Sequence, residues 1–275
     1  MNLYKMKVEV IKPTNALIKE YIDCFYILTH SKSDLKTAYF TFPNIFSIVT
    51  ISSNIKLFRT PYKIEVSQSI EQNFTSDIET KFTKPLLIQY DGDIKEITIY
   101  FKPLGLNAFL EKSLSDYCSD ENFYFFPFKD YEETMISILK LNSNEKMIEK
   151  LEDYWMGKHK GYVNYTLKKS IEDIIQNPEL SIALVAKNNA INHKTLITHF
   201  KKHTGKTPSE FRKIVRFRKA LQNKNKGNLT EVSCTSNYFD QAHMIKNFKS
   251  LTGYKPKFFF NNLLTIEDKV NWVLT

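Results

Sequence analysis

Residues 196–211 read LITHFKKHTGKTPSEF, and 48 positions later residues 244–259 read MIKNFKSLTGYKPKFF. Ile197/Ile245, Phe200/Phe248, Lys201/Lys249, Thr204/Thr252, Gly205/Gly253, Pro208/Pro256 and Phe211/Phe259 coincide, seven identities in 16 positions. A repeat at a fixed offset means one small structural unit used twice. Two copies are too few for a stacked solenoid, which needs about three or more. The two units are therefore expected side by side in one domain, sharing one job.

The repeat and its flanks read as helices. Leu167, Ile171, Ile174 and Ile175 follow i, i+4, i+7, i+8 spacing, and Pro178 stops that helix. Ser181 caps a second helix carrying Ile182, Val185 and Ala186, and Asn192 caps a third over 192–203 that closes at Gly205. Thr207-Pro-Ser-Glu210 is a capping box with proline at the first helical position. It opens a long helix with Phe211, Ile214, Val215, Ala220 and Leu221. Asn228 and Asp240 cap two more helices, the latter ending at Gly253. The pairs 181–189 with 192–203 and 228–236 with 240–251 are each two short helices joined by a tight turn, a helix-turn-helix. Val185 and Val232 are 47 residues apart, whereas the second helices are 48 apart. The second turn is thus one residue longer.

In the second helix of each pair, Leu196 and Phe200, then Met244, Phe248 and Leu251, form one inward stripe. The opposite faces carry His193, Lys194, Ile197, Thr198 and Lys201, then Gln241, Ala242, Ile245, Lys246 and Lys249. These ten are the candidate DNA-binding residues. An α-helix fits the major groove, where side chains reach base edges, and the basic members would contact phosphates. A linking helix of about 15 residues, roughly 22 Å long, would hold two such helices apart for successive major grooves about 34 Å apart. Charge points the same way. Residues 161–262 hold 18 Lys and Arg against 6 Asp and Glu, a net of +12, and the rest of the chain holds 21 against 24. A field confined to one region is the footprint of a polyanion partner, although a solvated lysine-rich surface gives the same count.

LSIALVA (180–186), HFKKHTGKTPSEF (199–211) and LTEVS…NYFDQAHMIKNFKSLTGYKP (229–256) resemble the DNA-binding domain of the AraC/XylS family of bacterial transcription regulators. The resemblance covers residues 161–262, a little over one third of the chain, with both units, the linking helix and both G-x-x-P steps in order. It implies a sequence-specific, ligand-responsive transcription activator with double-stranded DNA and RNA polymerase as partners. Departures from the family pattern are informative. Asn237 stands where a turn glycine is common, and Ser233 where alanine is usual; asparagine tolerates the left-handed conformation. Ala190 holds the first turn and is a poorer turn former wherever φ is positive. Ile197 and Ala242 occupy positions where the family often contacts bases. They touch thymine methyls but cannot hydrogen-bond, so the target sequence is not legible.

The first 130 residues read mostly as strands: 37–42, 45–51 and 55–59, then 86–90 and 94–101 as a hairpin about Asp91-Gly92. Ile97, Ile99 and Phe101 alternate with Thr98 and Tyr100, as in a half-buried strand. Pro103-Leu-Gly105 breaks it, and 106–114 reads as a short helix. Phe123, Tyr124, Phe125, Phe126 and Phe128 suit a core or contact cluster better than a ligand wall. Residues 131–157 have helical periodicity broken near Asn142-Ser-Asn144, and 156–163 reads as a linker. ITIYFKPLGLNAFL (97–110) is similar to the N-terminal domains of AraC-like regulators, which are often cupin-like and serve sensing or dimerisation. An effector small molecule and a second copy of the chain are the partners this implies.

The expected fold class is α+β in two domains. A β-rich, cupin-like domain over 1–157, with terminal helices, precedes an all-α double helix-turn-helix domain over 161–262 and a tail over 263–275. Neither catalytic residues nor a metal or cofactor is expected. G-x-S-x-G, P-loop and G-x-G-x-x-G motifs are absent. His199 and His203 have i, i+4 spacing without H-E-x-x-H or a cysteine pair, and Asp91-Gly-Asp93 lacks the rest of a calcium loop. Only His30 precedes residue 131, too few for a metal-dependent cupin enzyme. The scattered Cys24, Cys118 and Cys234 suit reduced thiols. The first residues lack a signal-peptide core, and no run of about 18 apolar residues exists. A cytoplasmic protein without membrane contact is expected. Two rivals remain: a small-molecule-binding or enzymatic N-terminal module with a non-specific nucleic-acid-binding tail, and a scaffold for protein partners.

Overall fold

The computed structural model describes residues 6–32, 36–118, 123–225, 227–266 and 270–274. They divide into two units: Met1–Ala38, Phe46–Thr80 and Leu87–Tyr162 in the first, and Tyr39–Ile45, Lys81–Leu86 and Val163–Thr275 in the second. Among the described residues no helix is long and apolar enough to cross a membrane.

In chain order the first half supplies β1 (Met6–Ile11), α1 (Ala16–Tyr21), β2 (Ile22–His30), β3 (Thr37–Thr41), β4 (Ser47–Ser53), β5 (Ile55–Thr60), β6 (Lys63–Gln68), β7 (Phe74–Glu79), β8 (Leu86–Asp91) and β9 (Ile94–Phe101). After them come α2 (Tyr131–Leu139) and α3 (Asn144–Lys158). In the first unit, β1, β2, β9, β4 and β7 pair in that order, all antiparallel. The side-chain period of two then gives the sheet two different faces. Phe25, Ile27, Val49, Ile51, Ile97, Ile99 and Phe101 share one core with Met135, Ile138, Leu151 and Trp155 of the two helices. Trp155 sits 5.0 Å from Phe101 and 5.3 Å from Phe109, both edge-on.

The other face is polar. Tyr26, Thr98, Thr50 and Asp77 lie in one cross-strand row, and the Thr50 and Thr98 hydroxyls are 3.2 Å apart. A second layer covers this face: β5 pairs antiparallel with β6, and β6 pairs parallel with β8. Tyr90 of β8 donates a hydrogen bond of 2.7 Å to Glu96 of β9. Burial pushes the Glu96 carboxyl up to about 8 despite that bond and lifts Asp77 to about 6 despite the nearby Arg59. Arg59 lies 4.0 Å from Asp77, pairs with Glu79, and stacks over Phe123 at 4.5 Å.

Several local expectations are corrected. Residues 86–101 are two strands but not a hairpin, because β8 and β9 belong to different sheets. The chain changes layer at Gly92, φ +99°, where an added Cβ would fall 2.7 Å from that of Gln68. β9 is buried on both faces rather than half-buried, since the second layer shields Thr98 and Tyr100. Residues 106–114 give no regular α-helix but a 3₁₀ turn at Leu106–Ala108, followed by another at Leu114–Asp116. The helical stretch 131–157 divides as expected, with Ser143 capping α3 through a 3.2 Å bond from the Lys146 amide. Of the aromatic cluster, Phe125 is core and Tyr124 and Phe126 are exposed.

The second unit carries α4 (Tyr165–Gln176), α5 (Ile182–Asn188), α6 (His193–Thr204), α7 (Pro208–Asn223), α8 (Leu229–Thr235), α9 (Gln241–Thr252) and α10 (Pro256–Asn262), then β10 (Leu264–Ile266) and β11 (Val270–Leu274). Residues 263–275, expected as a tail, thus contain two paired strands, and β11 pairs with Tyr39–Thr41. Tyr39 stacks on Trp272 at 4.0 Å. Phe42 enters the core formed by Phe217, Phe248 and Phe259, 4.7 Å from the Phe259 ring. Arg218 fixes this segment by donating to the carbonyls of Phe42 (2.5 Å) and Pro43 (2.8 Å). The helical domain is completed by residues from the N-terminal half, because its own helices leave this aromatic core open on one side.

Candidate nucleic-acid interface

Both helix pairs are built from the same backbone device. After α5 the Asn189 amide bonds to the Val185 carbonyl and the Ile191 amide reaches back to Ala186 O at 3.0 Å. After α8 the Ser236 amide bonds to Val232 and the Tyr238 amide reaches back to Ser233 O at 3.1 Å. This five-residue return is a Schellman ending, which needs a left-handed residue immediately before the returning amide. Ala190 has φ 50° and Asn237 φ 60°. The turns then diverge. Ile191 and Tyr238 correspond, and so do the caps Asn192 and Asp240, which leaves Phe239 as the additional residue of the second turn. Its side chain is 93% exposed at the entrance to α9.

Each predicted cap makes its bond. Ser181 Oγ accepts from the Leu184 amide at 3.1 Å and Asn192 Oδ1 from Lys194 at 2.9 Å. Asn228 Oδ1 accepts from Thr230 and Glu231, and Asp240 Oδ1 from His243 at 2.6 Å. Thr207 and Glu210 form the reciprocal box. Gly205 and Gly253, at φ 70° and 78°, close α6 and α9.

The apolar stripes set the rotation of α6 and α9 about their axes. Leu196, Phe200, Met244, Phe248 and Leu251 point inward and are buried. Opposite them, His193, Lys194, Thr198 and Lys201 are exposed and Ile197 half-buried. Gln241, Ala242, Lys246 and Lys249 are exposed and Ile245 half-buried. At all five corresponding positions the two helices therefore match in exposure, although only two of the five residue types coincide. The ten candidates fall into two equivalent faces, one per helix.

The linking helix α7 is itself cationic, which the sequence reading did not single out. Arg212 and Arg216 are one turn apart, and Arg212 Nη1 donates to Leu180 O at 2.5 Å. Burial lowers both guanidinium groups and also Lys213. Desolvation, and after it the charge of Arg216, lowers the His243 imidazole of α9, which favours its neutral form. The i, i+4 arginine spacing on α7 was the available signal. Phe239 had a signal too: it is the one-residue insertion in the second turn.

Residues 167–262 match the family model described as a helix-turn-helix domain. No curated protein matches the chain. Among solved structures, ToxT from Vibrio cholerae O395 is 12% identical with a TM-score of 0.41, over 94% of this chain and 97% of that one. A 1.65 Å structure of ToxT from Vibrio cholerae gives 14% identity and a TM-score of 0.43, over 94% and 98%. ToxT from Vibrio cholerae O395 bound to (E)-4-(8-methylnaphthalen-1-yl)but-3-enoic acid gives 11% and 0.42, over 94% and 98%.

Proposed function

We propose that the helix-turn-helix domain over residues 167–262 is of the AraC type and that the protein is a sequence-specific DNA-binding transcription regulator. One observation carries this reading: α6 and α9, both packed on α7, present equivalent polar faces, each with its apolar stripe buried. In this reading each face enters a major groove. Lys194, Lys201, Lys246 and Lys249 contact phosphates, while His193, Thr198 and Gln241 hydrogen-bond with base edges. Ile197, Ala242 and Ile245 contact thymine methyls, and Phe239 adds an apolar contact at the head of α9.

The sixteen residues of α7 span roughly 24 Å at 1.5 Å per residue, which suits successive grooves on one duplex face. The first unit acts as the input module, sensing a small effector or pairing with a second copy, and the output is activation through RNA polymerase. Selection of duplexes from a random pool with the full-length protein, followed by hydroxyl-radical footprinting, tests the reading. Two protected blocks about 34 Å apart on one face support it. One block, or uniform protection, refutes the two-groove mode.

A further inference from the structure

The second turn contains an asparagine where glycine is the easier residue, and the asparagine side chain is engaged. Asn237 Nδ2 donates to Glu179 Oε2 at 3.0 Å. Glu179 lies in the short loop before α5, so this bond joins the turn of the second helix pair to the root of the first. This loop and the end of α4 are both fastened to α7. Arg212 donates to Leu180 O, and Lys219 Nζ donates to Gln176 O at 3.1 Å. Arg216 and Lys219 both feel the Glu179 charge. The first turn is anchored separately, by Asn189 Nδ2 donating to Asp173 Oδ2 of α4 at 2.6 Å.

We propose that Glu179 and Asn237 form a clasp that fixes the rotational phase between α6 and α9 and so sets the half-site spacing the protein accepts. This rests on the DNA-reading function above. Each helix pair leans on α7 through aromatic contacts, Phe200 with Phe211 at 5.6 Å and Phe248 with Phe217 at 5.1 Å. Apolar contact is less directional than a hydrogen bond, and the second pair is also held to α7 by Asn223 Nδ2 donating to Thr235 O at 3.1 Å; the clasp adds the polar tie between the two pairs. A hydrogen bond to a carboxylate is short and directional. Glycine at position 237 would relax the turn but has no amide to reach Glu179. The strained asparagine is what the clasp requires.

The test uses the full-length protein and a duplex selected from a random pool, with the segment between half-sites at its selected length or longer by one base pair. Glu179→Ala and Asn237→Gly are each expected to weaken the preference for the selected spacing by about fivefold, the scale of one ordinary hydrogen bond. The double variant loses no more than either single one, and binding to an isolated half-site is unchanged. Ala190→Gly, which relaxes the first turn with no clasp to lose, keeps the wild-type preference. Wild-type spacing preference in Asn237→Gly and Glu179→Ala, or additive losses in the double variant, overturns the clasp. A pool that never enriches contradicts the DNA-reading function itself, and the clasp's role with it.

Discussion

Ala190 and Asn237, 47 residues apart in sequence, occupy the same left-handed place in two turns, with φ of 50° and 60°. Of the two, asparagine tolerates this conformation better than alanine. Ala190→Gly removes the Cβ penalty, roughly 1–2 kcal/mol, and gives back part of it as extra freedom of the unfolded chain. A net gain of about 0.5–1 kcal/mol is expected, seen as a higher urea midpoint of the helical unit. An unchanged or lower midpoint contradicts the strain assigned to Ala190.

Phe248 is fully buried between Phe217 (5.1 Å), Phe260 (5.2 Å) and Phe259 (5.8 Å). Phe248→Ala is expected to destabilise the second unit by about 3–5 kcal/mol. Thermal unfolding measures it, and a silent substitution would mean that α9 is rotated from the orientation described.

Lys246 is exposed, and no hydrogen bond or ion pair of its side chain is seen among the described residues. Lys246→Ala should leave Tm unchanged and weaken binding to all duplexes alike. The slope of log affinity against log salt should fall in magnitude by about 1. A loss confined to one sequence would instead make Lys246 a base reader.

Glu96 titrates near 8 in the folded protein, against a usual value of 4.5. Between those values the unfolded chain has released the proton while the native state keeps it, so stability falls as pH rises. Asp77, lifted to about 6, adds to the same slope over the lower part of that window. Glu96→Gln preserves an acceptor for Tyr90 and removes the ionisation. Its Tm should decline less than that of wild type between pH 5 and 8. Equal slopes would show that Glu96 is ionised in the fold.

What was legible in the sequence followed local chemistry. Caps such as Ser181, Asn192 and Asp240, and helix-ending Gly205 and Gly253, act within a few residues and mark the helix ends, while apolar spacing such as Leu196 with Phe200 marks the inward face and so the exposed one. The β-rich half was legible as strands but not as pairings. Asp91-Gly92 has the composition of a hairpin turn, yet whether β9 pairs with β8 depends on distant partners, and β2 and β4 compete for both of its edges. Phe42 and Trp272 are illegible for the same reason: nothing near either residue announces that the two segments join one helical unit. Glu179 reads as an ordinary loop acid until Asn237, 58 residues away, is brought beside it.

In the proposed function, two matched helix faces read a defined sequence. A competition titration of the full-length protein against its selected duplex and random duplex, at fixed salt, tests it most directly. The account predicts at least about 10³-fold tighter binding to the selected duplex, with the advantage lost when His193, Thr198 and Gln241 are replaced together by alanine. Equal affinity for both duplexes, or an advantage that survives the triple replacement, contradicts it.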